Sequence, residues 1–212
     1  MSAPPSDLAA IRVHGFTRGA FLARGVLAAG ALYGAGAAGP ALTRALGHAK
    51  HGAFGGGDIG IANFALGLER IEKQFYETAL GFGLRRETKE LFEAIAANED
   101  EHEKALIQVI EQLGGKPAPA EKVELTGLGD DENVAVDFAI RLEETSVRAY
   151  NGAVSQLESR DLMLALSSIA QAEGRHAGAV REHAGELPAP ESFERVLSGE
   201  QADSAVHELT RG

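Results

Sequence analysis

The chain has 212 residues, no cysteine, and 31 acidic against 20 basic side chains, a formal net charge of −11. That length holds one domain with a full core and not two large ones, and the lack of cysteine excludes disulfides, thiolate zinc sites, iron–sulfur centres and rubredoxin-type iron. The negative charge argues against a nucleic-acid partner, because phosphate neutralisation needs a basic face, and it suits a protein that attracts cations.

Residues 1–56 read as a leader and linker. Arg12, Arg18 and Arg24 precede an uncharged run from Gly25 to Thr43, built mainly from Ala, Gly and Leu, with Ala35-Gly36-Ala37 as small residues for cleavage. This is the layout of an export signal. Thr17 to Leu22, TRGAFL, resembles a twin-arginine signal in which Gly19 stands at the place of the second arginine. The expectation is an exported protein whose membrane contact is limited to the leader, with a cytoplasmic location as the alternative. A run so rich in Ala and Gly makes a poor transmembrane helix.

Four amphipathic helices follow within residues 57–186. Asp58 is the expected N-cap of the first, which runs to about Gly81. The second spans about Glu87 to Leu113 and ends at Gly114-Gly115. Residues 116–131, KPAPAEKVELTGLGDD, form a Pro- and Gly-containing link. The third helix spans about Glu132 to Leu157 and the fourth about Asp161 to Gly185. Pro188 and Pro190 close the bundle, and residues 187–212 form a tail in which Glu200 to Leu209 suit a short fifth helix.

Each helix carries one apolar stripe at alternating three- and four-residue steps, the pattern of a bundle seam. The stripes are Ala62, Leu66, Glu69, Tyr76 and Leu80 on the first helix and Phe92, Ile95, Glu99, His102, Leu106, Val109 and Leu113 on the second. On the third they are Val136, Ile140, Glu143, Val147, Tyr150 and Val154, and on the fourth Leu162, Leu166, Ile169, Glu173, His176 and Val180. Glutamates and histidines thus interrupt faces that are otherwise apolar.

Those interruptions repeat. Glu99 and His102 stand three apart, and the same pair returns 74 residues later as Glu173 and His176. Glu69 precedes Glu99 by 30 residues, as Glu143 precedes Glu173, and Tyr76 and Tyr150 each follow the leading glutamate by seven. In an antiparallel hairpin, residues equidistant from the turn meet at one level. The midpoints, Leu84 and Glu158, fall in the expected turns, so each glutamate runs about 20 Å to its turn and its partner about 20 Å back. The two hairpins are joined by a crossover along the bundle, roughly 40 Å, which the 16-residue link spans at about 3.3 Å per residue.

Four glutamates in an apolar interior repel one another and lose hydration, a penalty of several kcal/mol per ion. Two divalent cations cancel that charge, and two neutral imidazoles complete the donor set. The alternative is a protonated, hydrogen-bonded polar layer.

The doubled Glu and Glu-x-x-His set, with its two tyrosines, resembles the ferritin-like superfamily of carboxylate-bridged di-iron and di-manganese bundles, over roughly Asp58 to Gly185. It is most similar in arrangement to bacterioferritin, and with the export-like leader also to the exported ferritin-like proteins grouped with desiccation-related proteins. The resemblance implies an all-α fold, an antiparallel four-helix bundle of two repeated hairpins with one long crossover. It implies that Glu69 and His102 are terminal ligands of one metal, Glu143 and His176 of the other, and that Glu99 and Glu173 bridge both. Tyr76 and Tyr150 would hydrogen-bond a ligand carboxylate of the opposite hairpin.

Ile140 stands where rubrerythrins carry an additional glutamate, and Met163 lies away from the place where bacterioferritin binds haem, so no haem is expected. Glu72, Glu103 and Glu144 are expected to face solvent beside Lys and Arg, and His183 to sit at a bundle end. The expected cofactors are two iron ions, with manganese as the alternative, and the reaction is oxidation of ferrous iron by dioxygen or peroxide. The competing readings are a non-catalytic, stress-protective metal-binding protein and manganese-dependent peroxide disproportionation. Iron storage is a further reading that ranks below these, because the leader and the tail after Pro188 suit the closed packing of a cage poorly, and a homo-oligomer is compatible with the resemblance.

Overall fold

A computed structural model describes residues 54–210 and, apart from these, residues 12–13 and 16–17. In the unit spanning residues 1–37, Arg12–Val13 (β1) pairs antiparallel with Phe16–Thr17 (β2). The remainder of the export-like leader, including its uncharged run and cleavage residues, lies outside the described residues. All else that is described is helix and connection: α1 (Gly57–Ala79), α2 (Arg86–Gln112), α3 (Glu132–Val154), α4 (Arg160–His183) and α5 (Gly199–Thr210). Among the described residues no helix is long and apolar enough to cross a membrane.

α1 packs against α2 and α3 against α4 as two hairpins, and the hairpins meet through α1 with α3 and α2 with α4. The result is the expected four-helix bundle, with α5 laid against α3. The helices close around the stripes read from the sequence: Leu66, Phe92, Leu106, Leu162, Leu166 and Val180 are completely buried. Val109 lies only partly in this core and Ile110 is fully buried instead, a shift of one position that an i, i+4 step from Leu106 produces as readily as i, i+3. An aromatic cluster fills one side of the centre, where Phe75 stacks on Phe138 with ring centroids 4.9 Å apart and meets Tyr76 edge-on at 4.8 Å.

Asp58 does not cap α1. Gly56, at φ 90°, takes the N-cap position with no side-chain bond, and Asp58 lies in the first turn of the helix. Its carboxylate instead accepts the Glu158 N–H at 2.9 Å and the Ser159 N–H at 2.6 Å. Those amides precede α4, whose first turn is capped by the Ser159 side chain, so one acid serves the turn of the other hairpin. α3 also ends at Val154 rather than Leu157, because the Ser155 hydroxyl takes the Gly152 carbonyl at 2.7 Å and the Gln156 N–H closes a tighter turn on Ala153 at 3.0 Å.

The crossover between α2 and α3 runs along α1 and is tied to it by side chains on one face. Asn63 Oδ1 accepts the Ala118 N–H at 2.6 Å, and Arg70 donates to the Ala118 carbonyl at 2.6 Å. Gln74 brackets Val123, donating to its carbonyl at 2.7 Å and accepting its N–H at 3.0 Å. The tail treats α3 in the same manner. The Leu197 N–H donates to the Arg148 carbonyl at 3.1 Å, and Gly152 lets the Leu197 carbonyl approach so closely that an added Cβ would stand 1.9 Å from its oxygen. Crossover and tail meet where the Thr126 N–H donates to the Leu209 carbonyl at 3.0 Å.

Candidate metal centre

Each bundle helix delivers its polar residues to one level of the interior. α1 contributes Glu69, α2 contributes Glu99 and His102, α3 contributes Glu143, and α4 contributes Glu173 and His176. A spacing of three puts glutamate and histidine one turn apart on the same face, and the equal 30-residue intervals bring both hairpins to register. All four glutamates are fully buried, and His102 is the most exposed of the six, with 15% of its side chain accessible.

The six residues form two overlapping sets. Donor atoms of Glu69, Glu99, His102 and Glu173 lie within 4.8 Å of one another, as do those of Glu99, Glu143, Glu173 and His176. His102 Nδ1 is 3.0 Å from Glu69 Oε2, 3.0 Å from Glu99 Oε2 and 3.1 Å from Glu173 Oε1. His176 Nδ1 is 2.9 Å from Glu99 Oε1, 3.3 Å from Glu173 Oε2 and 3.6 Å from Glu143 Oε2. The two imidazoles stack with centroids 5.9 Å apart. The 74-residue repeat carries Glu69, Glu99 and His102 of the first set onto Glu143, Glu173 and His176 of the second, with Glu173 returning to Glu99, so the sequence repeat has become an approximate two-fold relation in space.

Both tyrosines cross between hairpins. The Tyr76 hydroxyl donates to Glu143 Oε1, and the Tyr150 hydroxyl donates to Glu69 Oε1. Each phenol is completely buried or nearly so. Burial, followed by the charge of the accepting glutamate, raises both phenol pKa values well above the usual tyrosine range, so each oxygen keeps its proton and remains a donor.

The charges at this centre do not balance through hydrogen bonds alone. Burial disfavours protonated imidazoles, yet hydrogen bonds to Glu173, Glu69 and Glu99 outweigh it and hold His102 up at about 12. Glu143, Glu173 and Glu99 do the same for His176, also to about 12. Burial lifts Glu69 and Glu143 well above the carboxylate range, while Glu173 is drawn down by bonds from both imidazoles despite its burial. Even so, Glu99 Oε1, Glu143 Oε2 and Glu173 Oε1 are buried and take no well-directed hydrogen bond, their nearest imidazole nitrogens standing 2.9, 3.6 and 3.1 Å away. Buried carboxylate oxygens left over in this way could be satisfied by a cation. Four carboxylates and two imidazoles fit iron, manganese or zinc by ligand type.

Two groups at this centre were not anticipated from the sequence. The Asn98 side-chain amide lies 3.0 Å from His176 Nε2, the ring nitrogen turned away from the carboxylates. Its repeat-equivalent is Ala172, so no second copy marked it. Glu72 overturns the expectation of a solvent-facing side chain: it is fully buried, and neither of its oxygens accepts a hydrogen bond. The signal was present, since a residue three after Glu69 and four before Tyr76 lies on their face. Glu103 and Glu144 pair with basic side chains as expected, with Arg70 at 2.7 Å and Lys73 at 3.0 Å and with Arg148 at 2.7 Å and Arg181 at 2.5 Å, but both are half-buried rather than facing solvent. His183 sits outside the centre with Nε2 2.7 Å from the Thr88 hydroxyl. That hydroxyl donates to Glu132 at 2.6 Å and has one proton, so His183 is the donor to it.

Comparison with known proteins agrees with this fold. No curated protein sequence matches the chain. Among solved structures, the fold is similar to that of a conserved hypothetical protein, rv2844, from Mycobacterium tuberculosis, with a TM-score of 0.54 and 17% identity over 61% of this chain and 91% of that one. A family model described as the ferritin-like domain matches residues 57–186, which comprise the four bundle helices and every residue of the centre. The chain belongs to the family of ferritin-like domain proteins.

Proposed function

We propose that the protein binds two metal ions in the bundle core and oxidises ferrous iron with dioxygen or peroxide. The observation that carries this reading is the pair of four-residue sets sharing Glu99 and Glu173. Sharing supports a bridging role for these two glutamates, with Glu69 and His102 completing one position and Glu143 and His176 the other. A single structural zinc needs four ligands, whereas this centre offers six in two equivalent halves. When bound, two ferrous ions supply one electron each to the oxidant.

The protein's own residues prepare the place. Tyr76 and Tyr150 occupy one oxygen of Glu143 and one of Glu69, which fixes the orientation of both carboxylates. The bundle core excludes bulk water from the four glutamates, which strengthens every charge interaction among them. His102 is the most accessible of the six.

The test is anaerobic loading with ferrous iron, removal of excess, a count of iron per chain, and then admission of oxygen while ferric absorbance is followed. Two irons per chain and rapid oxidation are expected. Two irons that stay ferrous in air would exclude the ferroxidase reading, leaving a structural site or manganese chemistry.

A further inference from the structure

Among the described residues, Glu72 is the buried carboxylate with both oxygens unpartnered. It stands on α1 between Glu69 and Tyr76, the two residues of that helix engaged with the centre. No lysine or arginine and no hydroxyl donates to it, and it belongs to neither of the two four-residue sets. The charges of Glu173, Glu69, Glu143 and Glu99, in that order after burial, push its proton affinity up, so its carboxylate lies in the field of the whole centre.

Its position also has a direction. Tyr76 reaches Glu143 while Tyr150 reaches Glu69, so advancing along α1 from 69 to 76 is retreating along α3 from 150 to 143. Glu72, one turn past Glu69, is therefore displaced towards the half of the centre held by Glu143 and His176. The repeat offers no counterpart on the other half, because residue 146 is serine. Asn98 breaks the repeat on the same half, at His176.

Resting on the two-ion reading above, we propose that Glu72 is a seventh carboxylate donor, serving the ion held by Glu143 and His176 and making the two ion positions unequal. Its side chain turns about staggered torsions and engages by a change of rotamer. One position then draws on Glu69, His102 and the two shared glutamates. The other draws on Glu143, His176, the same shared pair and Glu72.

Cobalt(II) tests this without reference to catalysis, because its visible absorption reports coordination number. Calorimetry and absorption titrations of the full chain are expected to show two cobalt ions taken up in two distinct steps. In Glu72→Gln one step should weaken by at least about tenfold, with stronger absorption at the site that lost a donor, and the other step should keep its affinity and spectrum. Glu72→Asp withdraws the carboxylate by one methylene and should give the same split should the glutamine variant fail to fold. Two native steps in the variants would overturn the proposal. So would equal weakening of both, which would mark Glu72 as a structural residue of the core. Fewer than two ions in the unmodified chain would instead sink the two-ion reading, and this inference with it.

Discussion

At the scale of the residue, the centre separates groups that would hold ions from groups that hold those groups. Glu99 and Glu173 appear in both donor sets, so Glu99→Ala or Glu173→Ala should abolish binding of both ions, whereas Glu69→Ala should spare one. Equilibrium dialysis with ferrous iron or cobalt(II) distinguishes these results, and a Glu99→Ala protein that still binds two ions at native affinity would disprove the bridging role. Tyr76→Phe removes one donor to Glu143 and leaves the ring in its aromatic cluster. It should retain two ions, with affinity or oxidation rate lowered by about 10- to 100-fold, the effect of losing a group that orients a ligand. The six candidate ligands and both tyrosines were legible because each occurs twice at one offset, and repetition distinguishes a constrained residue from a chance one. Glu72 and Asn98 occur once. A single glutamate on a helix has too many ordinary explanations, and only its burial without a partner separates it from Glu103 and Glu144.

At the scale of the element, two glycines inside helices differ in what surrounds them. Gly174 on α4 has nothing within 4 Å of an added Cβ, so Gly174→Ala should raise stability by about 0.5–1 kcal/mol through the lower entropy of the unfolded chain. Gly152 on α3 gains the same helix-propensity benefit, but its Cβ would stand 1.9 Å from the Leu197 backbone oxygen. Backbone cannot move aside as a flexible side chain can, and overpacking costs about 1–3 kcal/mol, so the clash wins. Gly152→Ala should lower the melting temperature and expose residues 185–198 to limited proteolysis, while Gly174→Ala should not. A second check concerns Glu132, which takes hydrogen bonds from the Thr88 hydroxyl and from Arg85 and is held down to about 2. A depressed folded-state value means that its contribution is present above the ordinary 4.5 and is lost as pH falls towards 2. Acid unfolding of Glu132→Gln should therefore be shallower over that window than acid unfolding of the unmodified protein. Helix boundaries were legible to within one to three residues, since Gly, Pro and Ser mark them. The role of Asp58 at the turn of the other hairpin was not, because the amides it serves are 100 and 101 residues away.

At the scale of the whole molecule, the centre makes metal and proton rivals. Glu69, Glu143, His102 and His176 all have raised folded-state values, so the stability they give the metal-free protein is greatest below their unfolded values and is lost as pH rises. Glu173 opposes them only in acid, because its depressed value puts its loss between 4.5 and about 2. Metal-free protein should thus melt at lower temperature as pH is raised above about 5. Loaded protein should do the reverse, since ligands must shed protons to bind and metal affinity grows with pH. Thermal melts of both forms across that range check this, and parallel slopes would contradict it.

Read without any structure, the chain determines a doubled helical hairpin and the level at which its glutamates and histidines meet. Periodicity and equal spacing are local properties, and they suffice to place residues on one face at one height. The tertiary structure alone decides how the hairpins face each other, that Tyr76 serves Glu143 and Tyr150 serves Glu69, that the crossover lies on α1 and the tail on α3, and that Glu72 is buried without a partner. These depend on contacts between segments far apart in the chain, whose geometry no single helix encodes.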